Sequence, residues 1–349
     1  MTLHIDIDGR RIGLGEPCYV VAEVAQAHDG SLGIAHSFID AAAAAGADAI
    51  KFQTHIADAE STKEEPFRIK FGYEDDTRYD YWRRMEFTAE QWQGLARHAR
   101  QSGVCFLSSA FSIEAVRLLR GLRVPAWKVG SGEFASRTLM AEMAAAGGPI
   151  IYSTGMSRTN EVDEFSVWCR SKGVPFALFQ CTSKYPTPLR EVGLNVLGEL
   201  RARHSCPVGL SDHSGMLYPG LAAMAQGADL LEVHVTFDRE MFGPDASASL
   251  TFREVAEIVK ARDAFYEMQK SPVDKDKMAT ALTDVRNLFS KSLAVVRDLE
   301  AGTVLTEDLL TQKKPGSGIP PSDLAEVVGR RLKRFVKADR LLRWDDLDG

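Results

Sequence analysis

The chain has 349 residues, 45% hydrophobic and 26% charged, enough to bury a full core in one large domain or two smaller ones. Its formal net charge of −6 argues against a nucleic-acid or anionic-membrane binder, which needs a broad basic surface. An anionic substrate must therefore meet locally placed Lys, Arg or backbone N–H groups.

The N-terminal stretch "MTLHIDIDGRRIG" has no apolar region behind a basic start, so no secretory signal is expected. No run reaches the ~20 apolar residues of a membrane span. Cys18, Cys105, Cys169, Cys181 and Cys206 are odd in number and scattered, with no CxxC. This predicts free thiols in a reducing compartment and a cytoplasmic protein.

Short apolar runs then recur at 19–25, 47–54, 104–111, 126–132, 149–155, 176–183, 207–213 and 230–236. Each is too short for a typical helix and is bounded by Gly, Pro or polar residues, which predicts buried parallel strands. Helical patterns separate them. "LGIAHSFIDAAAAAGA" stops at Gly46, and "TAEQWQGLARHARQSG" opens on the N-cap candidate Thr88 and stops at Gly103. The alternation over residues 1–270 predicts a (β/α)8 TIM barrel, whose usual size is about 250 residues. An open doubly wound sheet is the alternative, but the even spacing favours closure and no GxGxxG follows the first strand. The charged, aromatic segment 55–87 breaks the rhythm on the face where substrate loops sit. Residues 271–287 read as a polar linker, and residues 288–349 as a small α+β or β-rich module.

Active-site groups of such a barrel stand at the C-terminal ends of its strands. There the chain carries Glu23 on strand one, Lys51 and Gln53 on strand two, and Ser108 and Ser109 on strand three. Lys128, Ser131 and Glu133 follow on strand four, Ser153 and Thr154 on five, and Thr182, Ser183 and Tyr185 on six. Ser211, Asp212 and His213 end strand seven, and His234 lies on strand eight. A buried ammonium is costly unless paired, so Lys51 and Lys128 point to an anion, whose oxygens the hydroxyls and glycine N–H groups would share. His213 and His234 end neighbouring strands. With Glu23 or waters they suit Mn2+, Fe2+, Co2+ or Zn2+, and Asp212 would orient His213 or join the shell. Either His alone reads more simply as packing under a loop; the pair favours a metal. His28 and His55 carry weaker signals, and Phe87, Trp82 and Trp92 read as helix-packing residues before lid aromatics.

The stretches "VAEVAQAHDGSLGIA", "GADAIKFQT", "FLSSAF", "KVGSGE", "IIYSTGM", "QCTSKYPTP", "GLSDHSG", "EVHVTFDR" and "GPDASASL" occur in order over residues 19–250. In them the chain resembles the sialic acid synthase (NeuB-like) family of nonulosonate synthases. The tail "AGTVLTEDLLTQKKPGSGIPPSDLAEVVGRRL" resembles that family's antifreeze-like (SAF) domain, a β-clip fold. The resemblance implies condensation of phosphoenolpyruvate with an open-chain N-acyl hexosamine to a nine-carbon 2-keto-3-deoxy sugar acid plus phosphate. Lys51, Ser109, Lys128, Ser131, Ser153, Ser183, Tyr185 and Ser211 would hold phosphoenolpyruvate. His213 and His234 would bind a divalent metal, Mn2+ first, with Mg2+, Co2+ and Fe2+ as alternatives, and no organic cofactor is implied. Glu23 would stabilise charge or move a proton, and Gln53, Glu133, Asp245 and a partner chain's Lys314 would face the sugar in a domain-swapped homodimer.

Three residues depart from the family pattern. Ala27 stands where Asn is common, Val233 where Lys or Arg is common, and Lys314 where the sialic acid enzymes place an Arg. A Lys does not replace the planar Arg fork. The acceptor therefore stays open among N-acetylmannosamine, a diacetamido-trideoxyhexose, a phosphorylated sugar and an unusual aldose. Three rivals stand beside this reading: a Schiff-base aldolase using Lys51 or Lys128, a barrel kept as a sugar-binding or scaffolding module, and a tail that binds ice or glycans in its own right, which its charged, non-repetitive sequence disfavours.

Overall fold

Eight parallel strands pair around a closed ring in the computed structural model, which describes residues 4–67, 71 and 73–348. They are β3 (Tyr19–Ala25), β4 (Ala49–Thr54), β5 (Cys105–Ala110), β6 (Trp127–Val129), β7 (Ile150–Ser153), β8 (Phe176–Cys181), β9 (Val208–Asp212) and β10 (Leu230–Thr236). Strand β10 pairs with both β9 and β3, which closes the barrel and settles the choice against an open sheet. A short strand β11 (Leu250–Thr251) extends β10.

Ahead of the barrel, β1 (His4–Ile7) and β2 (Arg10–Gly13) form an antiparallel hairpin. Its alternating Ile5, Ile7 and Ile12 pack with Tyr19, Val21, Leu107, Ile151, Phe179 and Leu230 from the barrel interior. The hairpin therefore plugs the end of the barrel at which the strands begin.

Main crossover helices are α1 (Leu32–Ala44), α4 (Ala89–Gln101), α5 (Ile113–Leu122), α6 (Arg137–Ala146), α7 (Thr159–Lys172), α8 (Asn195–His204), α9 (Leu217–Ala225) and α10 (Phe252–Lys270). Two shorter ones, α2 (Ala57–Glu60) and α3 (Arg78–Met85), lie in the long segment after β4. Local chemistry sets their starts. Ser31 caps α1 through Ile34 N, Ser112 caps α5 through Ala115 N, and Thr88 forms a capping box with Gln91 on α4. Helix α8 was not singled out from the sequence. It has no side-chain N-cap and carries Gly198 in its interior, so neither signal was present.

Residues 1–270 and 271–349 form two compact units. The stretch read as a polar linker folds into two short helices, α11 (Lys275–Ala281) and α12 (Thr283–Phe289). Beyond them, β12 (Ser292–Val295) pairs antiparallel with β13 (Leu310–Lys313), and the short α13 (Leu324–Val327) follows. Leu293, Val295, Leu305, Ile319, Val336 and Leu342 build this unit's own core. All five cysteines are free and buried. Among the described residues no helix is long and apolar enough to cross a membrane.

Candidate active site

Side chains alternate across a strand, so residues two apart share a face. Along β10 the inward row runs Leu230, Glu232, His234, and along β3 it runs Tyr19, Val21, Glu23. Each row is apolar beside the hairpin plug and polar toward the strand's C-terminal end. The polar layer closes a cavity of ≈ 500 Å³, a usual size for a small-molecule site.

Four buried charges form its floor. Lys51 Nζ lies 2.7 Å from Glu23 Oε2 and 3.8 Å from Glu232 Oε2, and Lys128 Nζ lies 3.2 Å from Glu232 Oε1. Hydroxyls complete the layer. Ser109 accepts from Lys51 at 3.3 Å, Ser153 accepts from Lys128 at 2.8 Å, and Ser211 donates to Glu232 at 3.1 Å. The sequence alone points both lysines at a ligand anion. The protein supplies their countercharges itself, because two isolated ammonium groups would be too costly at this depth. Glu232 was missed, although its two-residue spacing from His234 was the available signal.

Burial raises the Glu23 carboxyl to about 7 even though Lys51 opposes it. Burial also tends to raise Glu232, but Lys128 and then Lys51 outweigh it and hold the group below the ordinary carboxylate value. Lys51 goes the other way. Its burial favours the free amine, yet Glu23 and Glu232 overcome that and raise it. Glu23 is thus the one member of this cluster with a carboxyl poised near neutrality.

Beside the floor, Ser131, Cys181 and Ser183 gather around Gly155. Ser131 Oγ lies 3.0 Å from Cys181 Sγ. A Cβ on Gly155 would stand 2.4 Å from Cys181 Sγ, 2.7 Å from Ser183 Oγ and 2.9 Å from Ser131 Oγ. The absence of a side chain there keeps this hydroxyl cradle open.

The two histidines converge at the C-terminal ends of the neighbouring strands β9 and β10, their ring centroids 5.1 Å apart. His213 Nδ1 lies 3.0 Å from the Thr182 carbonyl and so carries the proton, which leaves the Nε2 lone pair facing the Tyr185 hydroxyl at 3.0 Å. His234 Nδ1 is buried with no hydrogen bond and stands 3.5 Å from Asp245 Oδ2. Burial lowers His213 to about 4 and His234 well below its ordinary value, so both imidazoles are neutral, the ligand form. Among the described residues no group of three His, Cys, Asp or Glu forms a complete metal shell. The donor set fits a divalent ion held by two imidazoles with its other positions open. Asp212 takes neither role considered for it. It points to the opposite face from Ser211, accepts from Ser214 Oγ at 2.6 Å, and is raised to about 6 by burial.

The long segment after β4 walls the cavity with Phe67, Phe71, Arg78, Tyr81 and Trp82. Arg84 pins it by bonding Asp75 and the Asp29 carboxylate in the loop after β3. Trp82 is thus a wall residue, whereas Phe87 and Trp92 lie in the barrel–helix core.

Of the residues named from the sequence, Glu23, Lys51, Gln53, Ser109, Lys128, Ser131, Ser153, Ser183, Tyr185, Ser211, His213, His234 and Asp245 all line this cavity. Glu133 is not among its lining residues. It ends a 3-10 turn past β6 and accepts from Ser136 Oγ at 2.6 Å. Lys314 belongs to the C-terminal unit, where its ammonium sits 5.1 Å from the Phe289 ring centre.

A closed (β/α)8 barrel with a charged, hydroxyl-lined cavity at the C-terminal ends of its strands defines a barrel enzyme. The chain belongs to the NeuB family, whose model matches residues 38–273, and a SAF domain matches residues 290–348. It is 32% identical over 331 residues to the N,N'-diacetyllegionaminic acid synthase of Campylobacter jejuni, covering 93% of this chain and 98% of that one. It is also 32% identical over 346 residues to the N-acetylneuraminate-9-phosphate synthase of Homo sapiens, covering 97% and 95%. Among solved structures, the N-acetylneuraminic acid (sialic acid) synthetase from Leptospira borgpetersenii aligns with a TM-score of 0.71 and 25% identity, over 82% of this chain and 97% of that one.

Proposed function

We propose that this enzyme condenses phosphoenolpyruvate with the aldehyde of an open-chain N-acyl hexosamine. The products are a nine-carbon 2-keto-3-deoxy sugar acid and phosphate. The observation that carries the reading is the floor, where two buried ammonium groups, Lys51 and Lys128, sit among Ser109, Ser153 and Ser211. Phosphoenolpyruvate brings a carboxylate and a phosphate, and such oxygens are matched by ammonium, hydroxyl and backbone N–H donors. The cradle of Ser131 and Ser183 at Gly155 supplies a second cluster of donors in the same cavity.

The reaction balances as follows. Carbon 3 of the enol phosphate bonds to the aldehyde carbon, whose oxygen gains a proton, and carbon 2 becomes electron-poor. Water adds at carbon 2 and loses a proton, and the carbon 2–oxygen bond to phosphate then breaks as the new hydroxyl's remaining proton passes to the leaving phosphate, which leaves the ketone. Glu23, at about 7, can accept or return a proton near neutral pH. Its carboxylate form also offsets positive character at carbon 2. His213 and His234 would hold the divalent ion, Mn2+ as the first candidate, and that ion would polarise the aldehyde oxygen. Gln53, Asp245 and the aromatic wall would face the sugar. A partner chain's Lys314, delivered in a domain-swapped dimer, would complete that end.

The Schiff-base reading needs a neutral amine. Lys51 is held as an ammonium by Glu23 at 2.7 Å, and Lys128 is paired with Glu232 at 3.2 Å, so neither is set up as a nucleophile. The test is phosphate release from phosphoenolpyruvate with Mn2+ across a panel of aldoses, with and without EDTA. Release that needs an N-acyl hexosamine and stops with EDTA supports the proposal. Release without aldose, or borohydride trapping of a lysine adduct, overturns it.

A further inference from the structure

We propose that His55 is a positioning residue that fixes the side-chain amides of Gln26 and Gln53 and, through Gln53, the carboxylate of Glu23. Its effect on turnover rests on the synthase reading above. The network itself does not.

His55 leaves the end of β4 and is buried between two rings, Trp82 at 3.8 Å and Phe111 at 4.5 Å between centroids, both nearly parallel to it. It is not among the residues lining the cavity, although Gln26, Gln53 and Glu23 are. Its Nδ1 lies 2.5 Å from Glu60 Oε1 on α2. A carboxylate only accepts, so Nδ1 carries the proton and Nε2 is left as an acceptor, 3.2 Å from a second acceptor, Gln53 Oε1. Gln26 Nε2 donates to that nitrogen at 2.9 Å. The same amide donates its second hydrogen to Gln53 Oε1 at 2.6 Å. Gln53 is thereby turned with its own NH2 toward Glu23 Oε1, 2.9 Å away.

The chain runs Glu60, His55, Gln26, Gln53, Glu23 and has an acceptor at each end. Such a chain needs one group that donates in both directions, and the Gln26 NH2 is that group. Flipping either amide places donor against donor or acceptor against acceptor. The ring stack alone would be served by a phenylalanine. Only the network requires a ring nitrogen that accepts.

Two substitutions separate these roles. His55→Phe keeps the stack and removes both nitrogens, whereas His55→Gln keeps hydrogen-bonding reach and loses the stack. His55→Phe is expected to lower kcat about a hundredfold, with the KM for phosphoenolpyruvate little changed and thermal stability lowered, because the buried Glu60 carboxylate loses its partner. His55→Gln is expected to be less stable yet more active than His55→Phe. In crystals, Gln53 is expected to leave Glu23 in the Phe variant and to stay on it in the Gln variant. A Phe variant with wild-type kcat and Gln53 still on Glu23, or activities that merely follow stability, would overturn the proposal. If the wild type turns over no aldose, the synthase reading fails, and the Gln53 orientation in the two crystal structures still decides the network.

Discussion

Lys51 and Glu23 meet at 2.7 Å inside the barrel, their side chains only 3% and 1% exposed. They stand directly opposite each other on β4 and β3, so the strand register itself makes the pair. Lys51→Met is therefore expected to remove phosphoenolpyruvate binding and also to cost stability. Breaking a buried pair by removing one partner costs about 3–5 kcal/mol. Urea unfolding and calorimetric titration would show both losses. Lys51→Met combined with Glu23→Gln should unfold later than the single Lys51 variant, because Glu23, the carboxylate nearest the missing ammonium, is then replaced by a neutral amide.

Glu23 makes stability depend on pH with a definite sign. Its folded-state carboxyl is raised from the ordinary 4.5 to about 7. The folded state then holds a proton that the unfolded state has lost. The contribution is fully present below the ordinary value and disappears as pH rises through about 7. Glu23→Gln is expected to flatten the fall in Tm between pH about 4.5 and about 7 that the wild type shows. Parallel curves for the two proteins would refute this assignment.

Substrate binding should engage the same group. A substrate anion beside Lys51 disfavours the Glu23 carboxylate, so phosphoenolpyruvate is expected to bind with proton uptake near neutral pH. Calorimetry in buffers of different ionisation enthalpy reads that uptake directly. It should vanish in Glu23→Gln.

Gly155→Ala tests the cradle. The added methyl would come within 3 Å of Cys181 Sγ, Ser183 Oγ and Ser131 Oγ. These are side-chain ends that can shift, so the fold is expected to persist. Affinity for phosphoenolpyruvate is expected to fall more than about tenfold, since the donors lose the space they share.

Metal binding has its own readout. Dialysed wild-type protein is expected to bind Mn2+ in a paramagnetic-resonance titration. His213→Ala combined with His234→Ala should weaken that binding more than about tenfold. Equal binding by both proteins would place the ion elsewhere.

The barrel was legible because buried parallel strands leave continuous apolar runs, and Thr88 and Gly103 punctuate a helix with ordinary cap chemistry. Helix α8 was hidden because its start has no capping side chain. At the site, Lys51 and Lys128 stood out as charges inside apolar strands. Glu232 obeys the same logic from the strand beside His234, but it reads as an isolated acid until the register brings it to Lys128. Asp212 sits on the wrong side of the two-residue alternation, and Glu133 lies beyond its strand, where alternation no longer decides direction. The role of His55 was out of reach, because its partners come from β3, β4 and α2 and only the folded chain unites them.

The most direct measurement follows the bridging oxygen of phosphoenolpyruvate. With that oxygen labelled as 18O and an accepted aldose present, the released phosphate is expected to carry the label, because the carbon 2–oxygen bond breaks. Label retained in the sugar acid, or phosphate released equally without aldose, would contradict the condensation proposed for this site.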